Sequence, residues 1–155
     1  MNSKRRVFLK GTLAAGAVGV AVGAGMLAPR SVLAAWPESA FRAESLSDAL
    51  NNLMGSSSLS DGDVRIQAPD IAENGAVVPI TIESGISGAE SVALLVTEAN
   101  FPLTSSYELG EGTKANISTR IKMGGTSDVV AVVKANGRLY SAAKEVKVTI
   151  GGCGG

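Results

Sequence analysis

The stretch TSDVVAVVKANGRLYSAAKEVKVTI, residues 126–150, constrains the fold more than any other part of this chain. Two runs rich in β-branched residues flank Asn136–Gly137. A two-residue loop between strands needs positive φ at both positions, which Asn and Gly adopt at least cost, so the pair predicts a tight hairpin. A lone hairpin is marginal in water, so its apolar faces must be covered by further strands. Candidates are VRIQAP (64–69), AVVPITI (76–82), ESVALLVTEA (90–99) and ISTRIKM (117–123). Pro79 has no N–H for a ladder, which predicts a sheet edge or a bulge there. A second Asn-Gly, Asn74–Gly75, again stands between candidate strands. Six or seven short strands separated by Gly, Asn and Pro turns, without βαβ alternation, predict an all-β chain folded as an antiparallel β-sandwich.

Ahead of the strands the period changes. In WPESAFRAESLSDALNNLMG (36–55), Ala43, Leu46, Leu50 and Leu53 recur at helical spacing, with Phe41 and Met54 beside them. Pro37 suits a first turn and Gly55 a stop, so one N-terminal amphipathic helix is expected to pack on the domain. GSSSLSDGD (55–63) reads as a polar linker. The first residues are different again. The formal charge of the whole chain is zero, but Lys4, Arg5, Arg6, Lys10 and Arg30 precede every acidic residue. KRRVFLK is followed by the uncharged run GTLAAGAVGVAVGAGMLA and by SVLAAW, which offers a small-residue cleavage site at about Ala34. Charged start, apolar middle and small-residue exit form a secretory signal. Arg5 and Arg6, followed by Phe8, Leu9 and Lys10, resemble the twin-arginine export signal, with Lys4 where Ser or Thr is usual. The run is mostly Gly and Ala, too weakly apolar to favour a membrane anchor. The expected organisation is a cleaved signal at 1–34, helix and linker at 35–62, a sandwich at 63–150 and a tail at 151–155. Export in the folded state, to the periplasm, suggests that something is acquired beforehand, and a partner subunit suits that better than a cofactor.

Without the leader, nine basic residues face fourteen acidic ones, a net charge of about −5. That is a poor match for nucleic acid, whose phosphates require a basic face. The chain has no histidine and one cysteine. This excludes Ser–His–Asp and Cys–His catalysis, CxxC exchange and an internal disulfide, and it leaves little to hold a metal or haem. No cofactor, no metal and no stable membrane association are therefore expected. Asp61 and Asp63 lack EF-hand spacing and read as a solvated turn. Ser118, Arg120 and Lys122 alternate along one strand face, either solvated or set against an acidic partner or oxyanion.

The sole cysteine, Cys153, stands in a tail of Gly151, Gly152, Gly154 and Gly155. Glycines lack Cβ and keep a backbone mobile. Five extended residues span at most about 17 Å, so a thiol anchored at Ile150 could sweep that radius and enter a narrow cleft. No Lys, Arg or His lies within five residues of Cys153 to lower its pKa. An unactivated thiol on a slender tether suits carrying a group, with the activating chemistry supplied by whatever it visits. A thiol peroxidase or sulfurtransferase would need a lowered pKa and a shaped pocket, which a glycine arm does not provide. An exported binding module with an incidental cysteine is the other reading. A thiocarboxylate carrier using the terminal Gly-Gly is disfavoured, because it needs cytoplasmic activation.

GGCGG after VKVTI, with TRIKM, IAENGAVVP and the twin-arginine leader in the same order, resembles the SoxY family over 5–155. EANFPLTSS departs from it, since Phe101 separates Asn100 from Pro102. The resemblance implies an immunoglobulin-like sandwich paired with a SoxZ-like subunit as a heterodimer. It implies a carrier, not an enzyme, with Cys153 as the covalent attachment point for thiosulfate and other sulfur intermediates. It further implies transient docking to a haem thiosulfate-conjugating enzyme, a manganese thiol sulfate hydrolase and, where present, a sulfane dehydrogenase.

Overall fold

The computed structural model describes residues 36–150. The expected signal with Arg5 and Arg6, and the expected arm with Cys153 and its four glycines, lie outside the described residues. Strands β1 to β9 are Leu59–Asp61, Val64–Gln67, Ile71–Ala72, Val78–Ser84, Ala89–Val96, Leu103–Glu108, Asn116–Ile121, Ser127–Ala135 and Arg138–Val148. They form an immunoglobulin-like sandwich of two sheets. One sheet runs β1-β9-β8-β5-β6, with β3 also paired to β9; the other is β2-β4-β7. The hairpin predicted at Asn136–Gly137 joins β8 to β9, with φ of 51° and 72° at the two turn residues. Two pairings are parallel, β1 and β3 each lying along β9. These short segments were not legible as strands, and they make the larger sheet mixed.

Two apolar layers explain why β5 and β8 read as near-continuous apolar runs. Val92, Leu94 and Val96 of β5, with Val129, Ala131 and Val133 of β8, face the smaller sheet. Their alternates Ala93, Leu95, Val130 and Val132 face the helices. A strand buried on both sides loses its alternation of polar and apolar residues.

The single helix expected at the N-terminus is two: α1 at Glu38–Phe41 and α2 at Leu46–Met54. The break lies at Ser45, whose backbone is extended and whose hydroxyl accepts from the Asp48 N–H at 3.1 Å. A side-chain acceptor at that position starts a new helix more favourably than it continues an old one. Gly55 ends α2 at φ 77°, a left-handed cap. Ala40, Ala49 and Leu50 are wholly buried against the larger sheet.

Pro79 lies in β4, the middle strand of its sheet, where an edge or bulge was expected. It pairs with Arg120 of β7, but β2 accompanies β4 only from Thr81 to Ser84. Pro79 is therefore beyond the end of β2, and its missing N–H breaks no bond to that strand.

Candidate functional site

β9 is the longest strand and delivers the chain to residue 150, immediately before Gly-Gly-Cys. Every residue of its last stretch is tied down. The Lys147 N–H donates to Asp70 O at 3.0 Å, and the Thr149 N–H donates to Ala72 O at 3.1 Å. On its other side the Val148 N–H donates to Thr126 Oγ1 at 3.0 Å. The Thr149 hydroxyl donates to Glu73 O at 3.0 Å. Ile150 O accepts from the Gly75 N–H at 2.8 Å, and Gly75 O accepts from the Met123 N–H at 2.7 Å.

Gly75 is the hub of this clamp. Asn74–Gly75 in the sequence suggests a turn between strands, yet β3 and β4 on either side of it do not pair with each other. Instead Asn74 Oδ1 accepts from the Ala76 N–H at 2.9 Å and folds the loop back locally. That frees the Gly75 N–H and C=O to bind Ile150 on one side and Met123 on the other. Lys144 holds the incoming connection, with its ammonium 2.6 Å from Ala68 O and 3.0 Å from Asp70 Oδ1. Two of the sequence blocks singled out earlier, IAENGAVVP and TRIKM, thus converge at the point where the tail leaves the domain. Neither block announced that role, because both contacts are backbone bonds and depend on no side-chain signature.

The other candidates fall elsewhere. Ser118 and Arg120 are exposed along β7, with the Ser118 hydroxyl 3.0 Å from Thr81 Oγ1 and Arg120 opposite Pro79. Lys122 lines an open cleft with Glu98, Asn100 and Met123 at the end of the sandwich that holds the clamp. Asp61 ends β1 opposite Ser141, where a turn was expected, and Asp63 beyond it pairs with Arg65 at 3.0 Å. Among the described residues, no group of three or more His, Cys, Asp or Glu stands together as a metal site.

The family model described as sulfur oxidation protein SoxY matches residues 50–153, a span that includes the clamp and Cys153. Among solved structures, the sulfur carrier protein SoxY from Chlorobium limicola f thiosulfatophilum is 39% identical, with a TM-score of 0.63. That likeness covers 68% of this chain and 96% of the other. An engineered protein (12% identical, TM-score 0.40, 56% of this chain and 20% of the other) is a distant likeness that carries no weight. The same holds for the CARDB domain of a Pyrococcus furiosus protein (17% identical, TM-score 0.37, 57% and 88%). No curated protein matches the sequence.

Proposed function

The chain belongs to the SoxY family of sulfur oxidation proteins, and from that membership we propose that it is a periplasmic carrier bearing thiosulfate-derived groups on Cys153. The observation that supports this most is the clamp. Four consecutive residues, Lys147 to Ile150, are hydrogen-bonded to flanking segments, and the glycines and the only cysteine follow directly. A fixed root with a slender continuation is what a tethered substrate needs, because the root sets the volume searched and the glycines offer no bulk at a cleft mouth.

In the proposed cycle the Cys153 thiolate joins the outer sulfur of thiosulfate, forming a sulfur–sulfur bond. The two electrons released pass to a haem enzyme. Water then cleaves the terminal sulfonate as sulfate, releasing two protons and leaving a persulfide on Cys153; a manganese hydrolase performs this step. A sulfane dehydrogenase oxidises the outer sulfur to a sulfonate, taking six electrons and the oxygens of three waters. A second hydrolysis returns the thiolate. The carrier supplies no acid, base or metal to these steps. It keeps an intermediate from diffusing away and presents it at high effective concentration to each enzyme in turn. A SoxZ-like subunit completes the exported complex.

The test is intact-mass analysis of the complex purified from the periplasm of thiosulfate-grown cells. The peptide containing Cys153 is expected to carry added sulfur, sulfonate or thiosulfate. Cys153→Ser is expected to lose every adduct and all carriage while keeping the fold and the partner subunit. A Cys153 found only as free thiol under those conditions would refute the reading.

A further inference from the structure

The chain holds the dipeptide Asn-Gly twice, at 74–75 and at 136–137. The main-chain nitrogen that follows an asparagine can reach that asparagine's side-chain carbonyl and close a five-membered ring. A glycine there has no Cβ to obstruct the approach. Asn51, Asn52, Asn100 and Asn116 are each followed by a residue with a side chain. The fold treats the two Asn-Gly pairs differently. At the hairpin, the Asn136 side-chain N–H donates to Ser87 O at 3.0 Å, and Ala135 and Arg138 pair on either side of the turn. Ring closure at Asn136 must release Ser87 and unwind a turn between two interior strands. At the clamp, the Ala76 N–H donates to Asn74 Oδ1 at 2.9 Å. A donor at that oxygen polarises the side-chain carbonyl and stabilises the oxyanion formed when a nucleophile adds to it. The nucleophile is the adjoining Gly75 nitrogen, and it is occupied, its N–H donating to Ile150 O at 2.8 Å. Asn74 is exposed and Gly75 buried. The electrophile is therefore prepared and open to water, while the guard is one backbone bond to Ile150, two residues past the end of β9. Bonds at the end of an element open more often than those within a ladder.

We propose that Asn74–Gly75 is a self-modification site whose rate is set by opening of the clamp. When the bond to Ile150 opens, the Gly75 nitrogen gives its proton to solvent and forms a bond to Asn74 Cγ. The Cγ–Nδ2 bond then breaks, and the nitrogen takes a proton from solvent and leaves as ammonia. The ring product is a succinimide. Water opens it at either carbonyl, giving an aspartyl or an isoaspartyl link at position 74. No oxidation state changes, and water is the only co-reactant. Both products place a carboxylate next to Glu73. The isoaspartyl product also adds one atom to the main chain just ahead of Gly75, the residue that binds Ile150 and Met123. That addition displaces the hub, so the root of the tail loosens irreversibly as the protein ages. The chemistry stands apart from the carrier reading, and only its effect on delivery of a cargo rests on that reading.

The test holds the complex of the chain with its partner subunit at mildly alkaline pH and follows both Asn-Gly peptides by mass and by elution, which separates aspartyl from isoaspartyl forms. Conversion at Asn74 is expected to run at least about tenfold ahead of conversion at Asn136. In urea, with the fold removed, the two sites are expected to convert at similar rates. Thr149→Val removes the hydroxyl that donates to Glu73 O. It is expected to speed conversion at Asn74 about two- to fivefold and to leave Asn136 as it was. Isoaspartyl protein separated from the rest is expected to show faster amide exchange at Met123 and Thr149. Equal rates at the two sites in the native complex, or Asn136 ahead, overturn the proposal without any variant. So does an Asn74 that stays intact in the native complex while the urea-unfolded chain converts. A Thr149→Val rate equal to that of the unaltered chain overturns the clamp as guard. Unaltered exchange in the isoaspartyl protein overturns the loosening of the root.

Discussion

Replacing Asn74 with Ala and Thr149 with Val strips two side-chain bonds from the clamp and leaves its backbone bonds in place. The first removes the acceptor of the Ala76 N–H, and the second removes the hydroxyl that donates to Glu73 O. Both bonds are exposed, so each contributes at the low end of the usual range, about 0.5–1 kcal/mol. Together they weaken the clamp by about 1–2 kcal/mol, which raises its open population about five- to thirtyfold. The measurement is amide hydrogen exchange. Protection at Gly75, Thr149 and Met123 should fall by that factor, while Leu94 and Val132, buried in β5 and β8, should be unaffected. The functional effect should be smaller. If the root comes free back to Lys147, the tether to Cys153 doubles from three residues to six. Effective concentration falls as about the −3/2 power of length, so delivery to a docked cleft should drop only about threefold. Unchanged protection at Gly75 and Thr149 would mean that these side chains do not hold the root. An equal loss at Leu94 and Val132 would mean that the clamp opens only when the whole domain unfolds. Either result refutes the reasoning.

Leu50 is wholly buried between α2 and the larger sheet, so Leu50→Ala should cost about 3 kcal/mol in urea unfolding. A loss below about 1 kcal/mol would show that the helices are not part of the cooperative unit. Gly137 holds φ 72° in the β8–β9 hairpin, so Gly137→Ala should cost about 1 kcal/mol, lowering the urea midpoint without changing the slope.

Local chemistry made part of this protein readable in one dimension. Asn136–Gly137 is a hairpin because both residues tolerate positive φ, and nothing distant is needed to decide it. The cores of β4, β5, β8 and β9 are legible because β-branched and aliphatic runs fit a pleated sheet wherever they occur. The chemistry proposed for the tail was reached by elimination, since a chain with no histidine and one cysteine offers few routes to catalysis. The N-terminal helix was visible by its period, but its division at Ser45 was settled by a side chain competing with the backbone.

What only tertiary structure decided is how the end of the domain at Lys147–Ile150 is held. Glu73 and Thr149 are 76 residues apart, and Gly75, Met123 and Ile150 meet through backbone groups that every residue carries. β1 and β3 exist because β9 offers them an open edge, not because LSD or IA favours a strand. Composition can encode a slender thiol-bearing segment, since that depends on which side chains are absent. Where such a segment leaves the domain depends on hydrogen bonds between identical peptide groups, and only the folded chain determines which of them face each other.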